Sequence, residues 1–145
     1  MRDFEVLVLG AGSKLKEYKS QYSNLPITFL GNVKNPLKYL NIADVFIFPS
    51  RREGLGNSLI EAQILGLSII SSDCPSGPKE ILMNGKLGDL FAVGDYKKLC
   101  EKIYRFSNNK KLLKEKAILA KKYLYRYDYE KNLKKYTKII KKYYK

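Results

Sequence analysis

The sequence contains no histidine and only two cysteines. Without histidine there are no Ser–His or Cys–His nucleophile pairs, no imidazole general base and no HExxH metal site. Any chemistry must therefore rest on carboxylates, lysines, arginines, hydroxyls or the backbone. Cys74 and Cys100 form no CxxC pair and have no histidine to complete a common zinc set, so we expect two buried, reduced thiols.

Long hydrophobic runs are also missing, since no stretch of about 18 apolar residues occurs. The first residues, MRDFEVLVLG, lack a basic leader followed by a long apolar region and a small-residue cleavage site. We therefore expect a cytoplasmic protein. At 145 residues with 45% hydrophobic content, the chain is long enough for a single core.

Acidic residues are scarce in only one part of the chain. Residues 1–96 carry ten Lys and Arg against ten Asp and Glu, whereas residues 97–145 carry eighteen against four. The whole formal charge of +14 therefore lies in the last third. The electrically balanced part and the basic tail call for separate functional arguments.

Five short apolar runs alternate with helical patterns along the first two thirds. Continuous apolar runs of this kind are typical of buried parallel strands. The runs are DFEVLVLG, ITFLG, DVFIFPS, LSIISSD and GDLFAV, and the helical patterns cover about residues 13–22, 37–42, 58–65, the segment CPSGPKEIL and residues from about 96. This alternation predicts an α/β fold with a Rossmann-like, doubly wound parallel sheet flanked by helices.

Two lysine-rich helices are predicted after the last strand, over about residues 110–124 and 129–144. Both carry apolar residues at helical spacing and so have a face to bury. These residues are Leu112, Leu113, Ile118 and Leu119 in the first helix, and Leu133, Tyr136, Ile140 and Tyr143 in the second.

The segment SRREGLGNSLIEAQILG, residues 50–66, places Glu53 and Glu61 on either side of a turn that contains Gly54 and Gly56. Ligands of such sheets bind at the carboxyl ends of the strands. The glycines let backbone approach a ligand, and the first amides of the next helix suit a phosphate or polar sugar. The two carboxylates could accept hydrogen bonds from a polyol.

The same residues also fit a purely structural interpretation. Ser58 and Glu61 have the spacing of a capping box, which stabilises a helix start by about 1 kcal/mol. Glycines are common at strand-to-helix turns without any ligand. From spacing alone, both interpretations stay open.

The segment EGLGNSLIE resembles the E-x7-E motif of family 4 glycosyltransferases, which are retaining enzymes with the GT-B fold. Six blocks over residues 6–95 follow the order of that family: VLGAG, FLGNV, ADVFIFPS, EGLGNSLIEAQILG, SIISSDCPSGPKEIL and GDLFAVGD. The segment SDCPSGPKEIL is similar to bacterial transferases that add hexoses or N-acetylhexosamines to surface glycans or lipid-linked precursors.

The resemblance implies a role for each residue of the motif. Glu53 would be the catalytic residue that contacts the donor sugar, and Glu61 would bind the ribose hydroxyls. The turn between them would serve the sugar and the diphosphate through Gly54, Leu55, Gly56, Asn57 and Ser58. The implied donor is a nucleoside-diphosphate sugar, with UDP preferred, and no cofactor or protein-held metal is expected because amides and cations meet the diphosphate.

Three residues of the first two strand ends are further candidates for the donor site. Gly12 is the second glycine of a GxG sequence that starts at Gly10, but Leu15 stands where a dinucleotide fingerprint needs a third glycine. The resemblance would place Gly12 near the donor, and Gly31 and Asn32 near the nucleotide base. A plain turn and a plain connector are the alternatives.

Family members also carry an acceptor domain and an early arginine and lysine that neutralise the diphosphate, and this chain begins after both. We therefore expect a fragment that is inactive alone. Residues 1–107 would be a partial nucleotide-sugar-binding domain, with residues 108–145 forming helices packed on it. The expected partners of the enzyme are the donor and a glycan or lipid-linked acceptor.

The basic, tyrosine-rich tail has three interpretations. It could lie on an anionic membrane surface, bind nucleic acid through lysines and stacked tyrosines, or be a solvated helix surface. Nucleic acid is the least favoured of the three. A non-catalytic α/β module held on membrane or nucleic acid by this tail is the alternative to a transferase.

Overall fold

The computed structural model describes residues 4–144, which form two compact units, Met1–Ala43 and Asp44–Lys145. In the first unit, β1 (Val6–Leu9) pairs in parallel with β2 (Ile27–Gly31). The helix α1 (Leu15–Gln21) connects these strands, and α2 (Leu37–Ile42) follows them.

The second unit is built on a parallel sheet of three strands in the order β3-β4-β5. These strands are Val45–Phe48, Ser68–Ser72 and Asp89–Phe91. The helix α3 (Asn57–Leu65) joins β3 to β4, and the short α4 (Pro78–Ile81) lies between β4 and β5. All five residues of β4 are buried, as expected for a central strand of a parallel sheet.

Three helices follow the sheet. They are α5 (Tyr96–Asn108), α6 (Lys111–Lys122) and α7 (Tyr129–Tyr143), with a short 3-10 helix at Leu124–Tyr127 before α7. A core cluster of Ile70, Phe91, Phe106 and Leu113 joins β4 and β5 to α5 and α6. Apolar burial therefore fixes the first two of these helices on the sheet.

The prediction of an α/β fold with parallel strands and flanking helices is confirmed. The five strands pair in two sheets, β1-β2 and β3-β4-β5. The sequence does not indicate which strands pair, because all five runs have the same apolar character. Over residues 4–144, no helix combines the length and hydropathy needed to cross a bilayer.

Two predictions about burial are wrong. Cys74 is buried, but Cys100 is exposed on α5, where it stands on the solvent face of an amphipathic helix. The apolar residues predicted to bury one face of α7 are all exposed. In α6 the predicted Leu112 and Ile118 are exposed as well, and the helix buries Leu113 together with Ala117 and Ala120. Helical periodicity reveals an apolar face but does not determine what covers it.

Candidate functional site

The loop that follows β3 holds Glu53 in a defined position. The Ser50 hydroxyl donates a hydrogen bond of 2.7 Å to Oε1 of Glu53, which is half-buried. The Ser72 hydroxyl, at the end of β4, donates in turn to the Ser50 carbonyl oxygen. Two serines at neighbouring strand ends therefore orient the first carboxylate of the motif.

The glycine turn is held from its other side by the segment before α4. Gly77 has a φ of 109°, and a Cβ at this position would lie 2.8 Å from the Leu55 carbonyl oxygen. Any side chain here would displace the backbone of the turn. Since the strands are parallel, the loops after β3 and β4 meet at one sheet edge, which is where ligands of such sheets bind.

The helix α3 begins without a side-chain cap. Gly56 is its N-cap in the left-handed conformation, with φ 74° and ψ 51°, and Ser58 already lies inside the helix. The capping-box interpretation of Ser58 and Glu61 is therefore wrong, because the N-cap is Gly56, two residues before Ser58. Uncapped amides at a helix start can donate hydrogen bonds to an anionic ligand.

The second carboxylate of the motif is available for a ligand. Glu61 is half-buried on α3 and accepts no hydrogen bond from another residue within 4–144. Gly54, Leu55 and Asn57 are exposed, while Ser58 is half-buried and Gly56 is buried. Arg51 and Arg52 beside the turn are both exposed.

The remaining predicted site residues lie in the first unit. The Gly12 carbonyl oxygen accepts a hydrogen bond of 3.0 Å from the Leu15 amide, which makes a turn at the start of α1. Gly31 ends β2 as a buried residue with φ 70°, and Asn32 beside it is exposed. That these three residues share a site with residues 53–61 stays a prediction.

An open concavity of about 520 Å³ lies alongside α4 and the residues that flank it. Gly77, which lies against the backbone of the glycine turn, is one of the residues that line this concavity. Lys79 forms an exposed ion pair of 3.5 Å with Asp73 at the end of β4. The lining residues are Ser76, Gly77, Lys79, Glu80, Met83, Asn84 and Lys86.

A buried ion cluster lies at the start of β5. Asp89 is 5% exposed, its Oδ1 is 2.7 Å from Nζ of Lys116, and its Oδ2 contacts Lys102 and Arg105. Lys116 also donates to the Gly85 carbonyl oxygen at 2.8 Å. This cluster ties α5 and α6 to the loop before β5, so its role is structural.

The described residues, 4–144, bring together no cluster of three or more Cys, Asp or Glu side chains suited to a metal ion. The arrangement at the sheet edge instead offers backbone amides, hydroxyls and two carboxylates. These groups bind polar, hydroxyl-rich and anionic ligands by hydrogen bonds.

Residues 1–109 match the sequence model of the family described as glycosyl transferases group 1. The chain belongs to this family. The match includes the loop with Glu53, the glycine turn and Glu61, so the geometry above is that of a group 1 glycosyltransferase. The prediction of a glycosyltransferase is therefore confirmed at the level of the group 1 family.

Two curated relatives of this group 1 glycosyltransferase chain are bacterial transferases. The capsular polysaccharide biosynthesis glycosyltransferase CapM of Staphylococcus aureus is 33% identical over 66% of this chain and 25% of its own length. The 2-deoxystreptamine N-acetyl-D-glucosaminyltransferase of Niallia circulans is 33% identical over 74% of this chain and 29% of its own length. The chain thus spans between a quarter and a third of these relatives.

The solved structure of TarM, a Staphylococcus aureus protein, shows the same fold. It superposes with a TM-score of 0.80 and 26% identity over 92% of this chain and 28% of that chain. Structural neighbours of this group 1 chain are GT-B glycosyltransferases.

Sequence reasoning missed three residues that shape the site of this group 1 transferase. Ser50 and Ser72 orient the loop, and Gly77 makes room for the turn. Gly77 stands in the quoted SDCPSGPKEIL block, where its glycine was a signal of close backbone approach. Ser72 gave no signal, because its partner, the Ser50 carbonyl oxygen, lies at the end of another strand, whereas the three-residue spacing of Ser50 and Glu53 could have indicated their hydrogen bond.

Proposed function

We propose that this chain is the donor-binding part of a retaining, family 4-like glycosyltransferase. The enzyme transfers a hexose or N-acetylhexosamine from a UDP-sugar to a hydroxyl of a growing bacterial surface glycan or lipid-linked acceptor. The bond between the anomeric carbon and the diphosphate breaks, a bond to the acceptor oxygen forms with the same configuration, and UDP leaves as the acceptor hydroxyl gives up its proton to the leaving diphosphate. The reaction takes place in the cytoplasm.

The observation that carries this proposal is the pair of carboxylates around the glycine turn. Glu53, oriented by Ser50, accepts hydrogen bonds from hydroxyls of the donor sugar. Glu61, which has no hydrogen-bond partner within residues 4–144, accepts hydrogen bonds from the ribose hydroxyls. The uncapped amides of α3 lie between them for the diphosphate, so no protein-held metal is needed.

The names of the relatives support the sugar and the acceptor. CapM is named for capsular polysaccharide biosynthesis, and the Niallia circulans relative is an N-acetyl-D-glucosaminyltransferase. A relative in Campylobacter jejuni, 31% identical over 79% of this chain, is named an N-acetylgalactosaminyltransferase acting on a diphospho-undecaprenol acceptor. These names favour an N-acetylhexosamine donor and a lipid-linked or surface glycan acceptor.

The chain alone is expected to bind the donor without turnover, because it spans only 25% to 32% of the first relatives. Family membership disfavours the alternative of a non-catalytic module. A transferase donor site also makes a sharper prediction, since binding should depend on one carboxylate of α3.

Calorimetric titration with UDP, UDP-N-acetylglucosamine, UDP-N-acetylgalactosamine and GDP-mannose tests the proposal. We expect the uridine nucleotides to bind more tightly than GDP-mannose. Glu61→Gln should weaken UDP binding about tenfold or more, since hydrogen bonds to a charged group contribute roughly 1.5 to 3 kcal/mol.

Glu115→Gln is the matched control, because Glu115 is exposed on α6 and the substitution is chemically the same. Its UDP affinity should equal that of the parent chain. The proposal is overturned if the folded parent binds no nucleotide, or if the Glu61 and Glu115 variants bind equally well.

A further inference from the structure

The short helix α4 supports the glycine turn at two points. Before its first residue, Gly77 lies so close to the Leu55 carbonyl oxygen that a Cβ on this glycine would be 2.8 Å away from it. At its end, Ile81 packs beside Gly56, the N-cap of α3, and a Cβ on that glycine would lie 3.5 Å from Cδ1 of Ile81. The position of α4 therefore determines where the turn and the first amides of α3 lie.

The helix α4 is too short to hold this position by itself. It has four residues, about one turn, and helices of this length gain little stability from their own backbone hydrogen bonds. Pro78, Ile81 and Leu82 are almost completely buried, which attaches the segment to the core. Apolar burial is not directional, however, so the orientation of α4 depends on polar contacts with other elements.

Two side chains from other elements donate to the last carbonyl groups of α4. Arg126, in the 3-10 helix before α7, donates from Nη2 to the Glu80 carbonyl oxygen at 3.0 Å and from Nη1 to the Ile81 carbonyl oxygen at 3.4 Å. Gln63 of α3, which is 1% exposed, donates from Nε2 to the same Ile81 oxygen at 3.3 Å. Carbonyl groups in the last turn of a helix lack partners within that helix, so these donors fix its end.

The guanidinium of Arg126 suits this contact. It is planar and permanently charged, and its donors can reach two neighbouring oxygens at once. The side chain is half-buried, and its Cζ lies 5.5 Å from the centroid of the Tyr127 ring, a cation–π distance that restrains the guanidinium. Arg126 also lies outside residues 1–109, so the match to the family model does not assign it a role.

We propose that Arg126 is a positioning residue of the donor site and acts through α4. Together with Gln63 it holds α4 against α3, so that Gly77 and Ile81 keep the glycine turn in the conformation that presents the uncapped amides. The inference rests on the proposed function, since it concerns the same donor site. Within the described residues, Arg126 donates to α4 and hydrogen-bonds none of residues 53–61, so its effect on the donor passes through α4.

Calorimetric titration of the full chain with UDP tests the inference on the ligand. Arg126→Gln should weaken UDP binding about fivefold, because the turn then adopts its binding conformation for only about a fifth of the time. Arg126→Lys should bind UDP more tightly than Arg126→Gln, since an ammonium group still donates to one carbonyl oxygen of α4. Gln63→Met removes the other donor at a similar side-chain volume and should also weaken UDP binding.

The matched control is Arg105→Gln on α5. It removes the same charge by the same substitution, and it breaks the contact of Arg105 with Asp89 in the structural ion cluster. Its UDP affinity should equal that of the parent chain. Circular dichroism checks that each variant is folded.

A second measurement needs no ligand. In amide proton–nitrogen NMR spectra of the chain without nucleotide, Arg126→Gln should shift the signals of Gly54, Leu55 and Gly56. Arg105→Gln should leave these signals unchanged. A loss of global stability alone does not move the signals of the folded state, so the shifts report a change in the turn itself.

Two results would overturn the inference. The first is UDP binding by Arg126→Gln that equals binding by the parent. The second is unchanged turn signals in Arg126→Gln together with full recovery of UDP binding in Arg126→Lys, which would assign the effect to charge alone. A folded parent that binds no nucleotide overturns the proposed function instead, and the turn signals of Arg126→Gln then decide by themselves whether Arg126 positions the turn.

Discussion

Asp89 illustrates at the residue scale how a carboxylate stays charged in a buried position. Burial alone would raise its pKa, but the hydrogen bond from Lys116 and the charges of Lys116, Lys102 and Arg105 outweigh burial and lower the pKa below the usual 3.8. Three cations that share one carboxylate lose their common partner when it is removed. Removing one partner of such a buried ion cluster destabilises the fold, because the remaining charges are left without a partner.

Asp89→Asn should therefore lower the free energy of unfolding by about 3 kcal/mol, measured by urea denaturation. Asp44→Asn is the matched control, because Asp44 pairs with Lys110 at 2.7 Å on the exposed surface. That variant should lose less than about 1 kcal/mol. Equal losses in the two variants would contradict the structural role of the Asp89 cluster.

The lowered pKa of Asp89 also determines how the stability lost in Asp89→Asn depends on pH. The pKa of Asp89 is lower in the folded than in the unfolded chain, so its stabilisation is fully present above about pH 4. It is lost as the pH falls through the folded pKa. The difference in unfolding free energy between the parent and Asp89→Asn should therefore shrink in acid and stay constant near neutrality.

Candidate site residues could be proposed from the sequence where they lie close together along the chain. Glu53, the glycines and Glu61 stand within one short segment, whose spacing left a ligand site and a plain helix start both open, and their roles stay a prediction. Asp89 gave no such signal, since its partners come from α5 and α6 and the sequence does not show that these helices meet at β5. Long-range ion clusters depend on packing that periodicity does not specify.

Two helices at the element scale begin with the same cap but differ in packing. Asp95 accepts a hydrogen bond of 2.8 Å from the Lys98 amide at the start of α5, and Asp128 accepts one of 2.8 Å from the Lys131 amide at the start of α7. Only α5 joins the core, through Phe106. Removing the capping side chain should therefore affect global stability at α5 and only local helix stability at α7.

Asp95→Ala should lower the global free energy of unfolding by about 1 kcal/mol, because α5 unfolds together with the sheet. Asp128→Ala should leave the urea midpoint unchanged and fray only α7, since local opening there exposes no core. Faster amide hydrogen exchange within α7 would report the fraying. A shifted urea midpoint for Asp128→Ala would mean that α7 contributes to the global fold.

Element types and approximate bounds followed from the sequence for all five strands. Their pairing did not, because each run is short and apolar, and nothing in a run identifies its neighbour. The start of α3 moved by one residue because Gly56 adopts a left-handed conformation that ends the turn before Ser58. The apolar face of α7 was predicted correctly, but its burial was not.

The whole molecule carries a formal charge of +14, and that excess belongs to residues 97–145. Two cations about 10 Å apart in water repel each other by roughly 0.4 kcal/mol. Many such pairs exist in the tail, against the few acidic residues available to offset them. The compact state holds these charges closer together than the unfolded chain, so repulsion destabilises it.

Sodium chloride should therefore stabilise this chain, in contrast to proteins held together by exposed ion pairs. Raising the salt from low to physiological ionic strength shortens the screening length to about 8 Å and weakens the repulsion between neighbouring lysines. We expect the free energy of unfolding to rise by on the order of 1 kcal/mol in urea denaturation. Chloride is the right anion for this test, because sulfate also strengthens apolar burial by exclusion from the protein surface. A fall in stability with salt would mean that attractive pairs such as Lys116–Asp89 outweigh the repulsion within the tail, and Asp89→Asn should then lose that salt dependence.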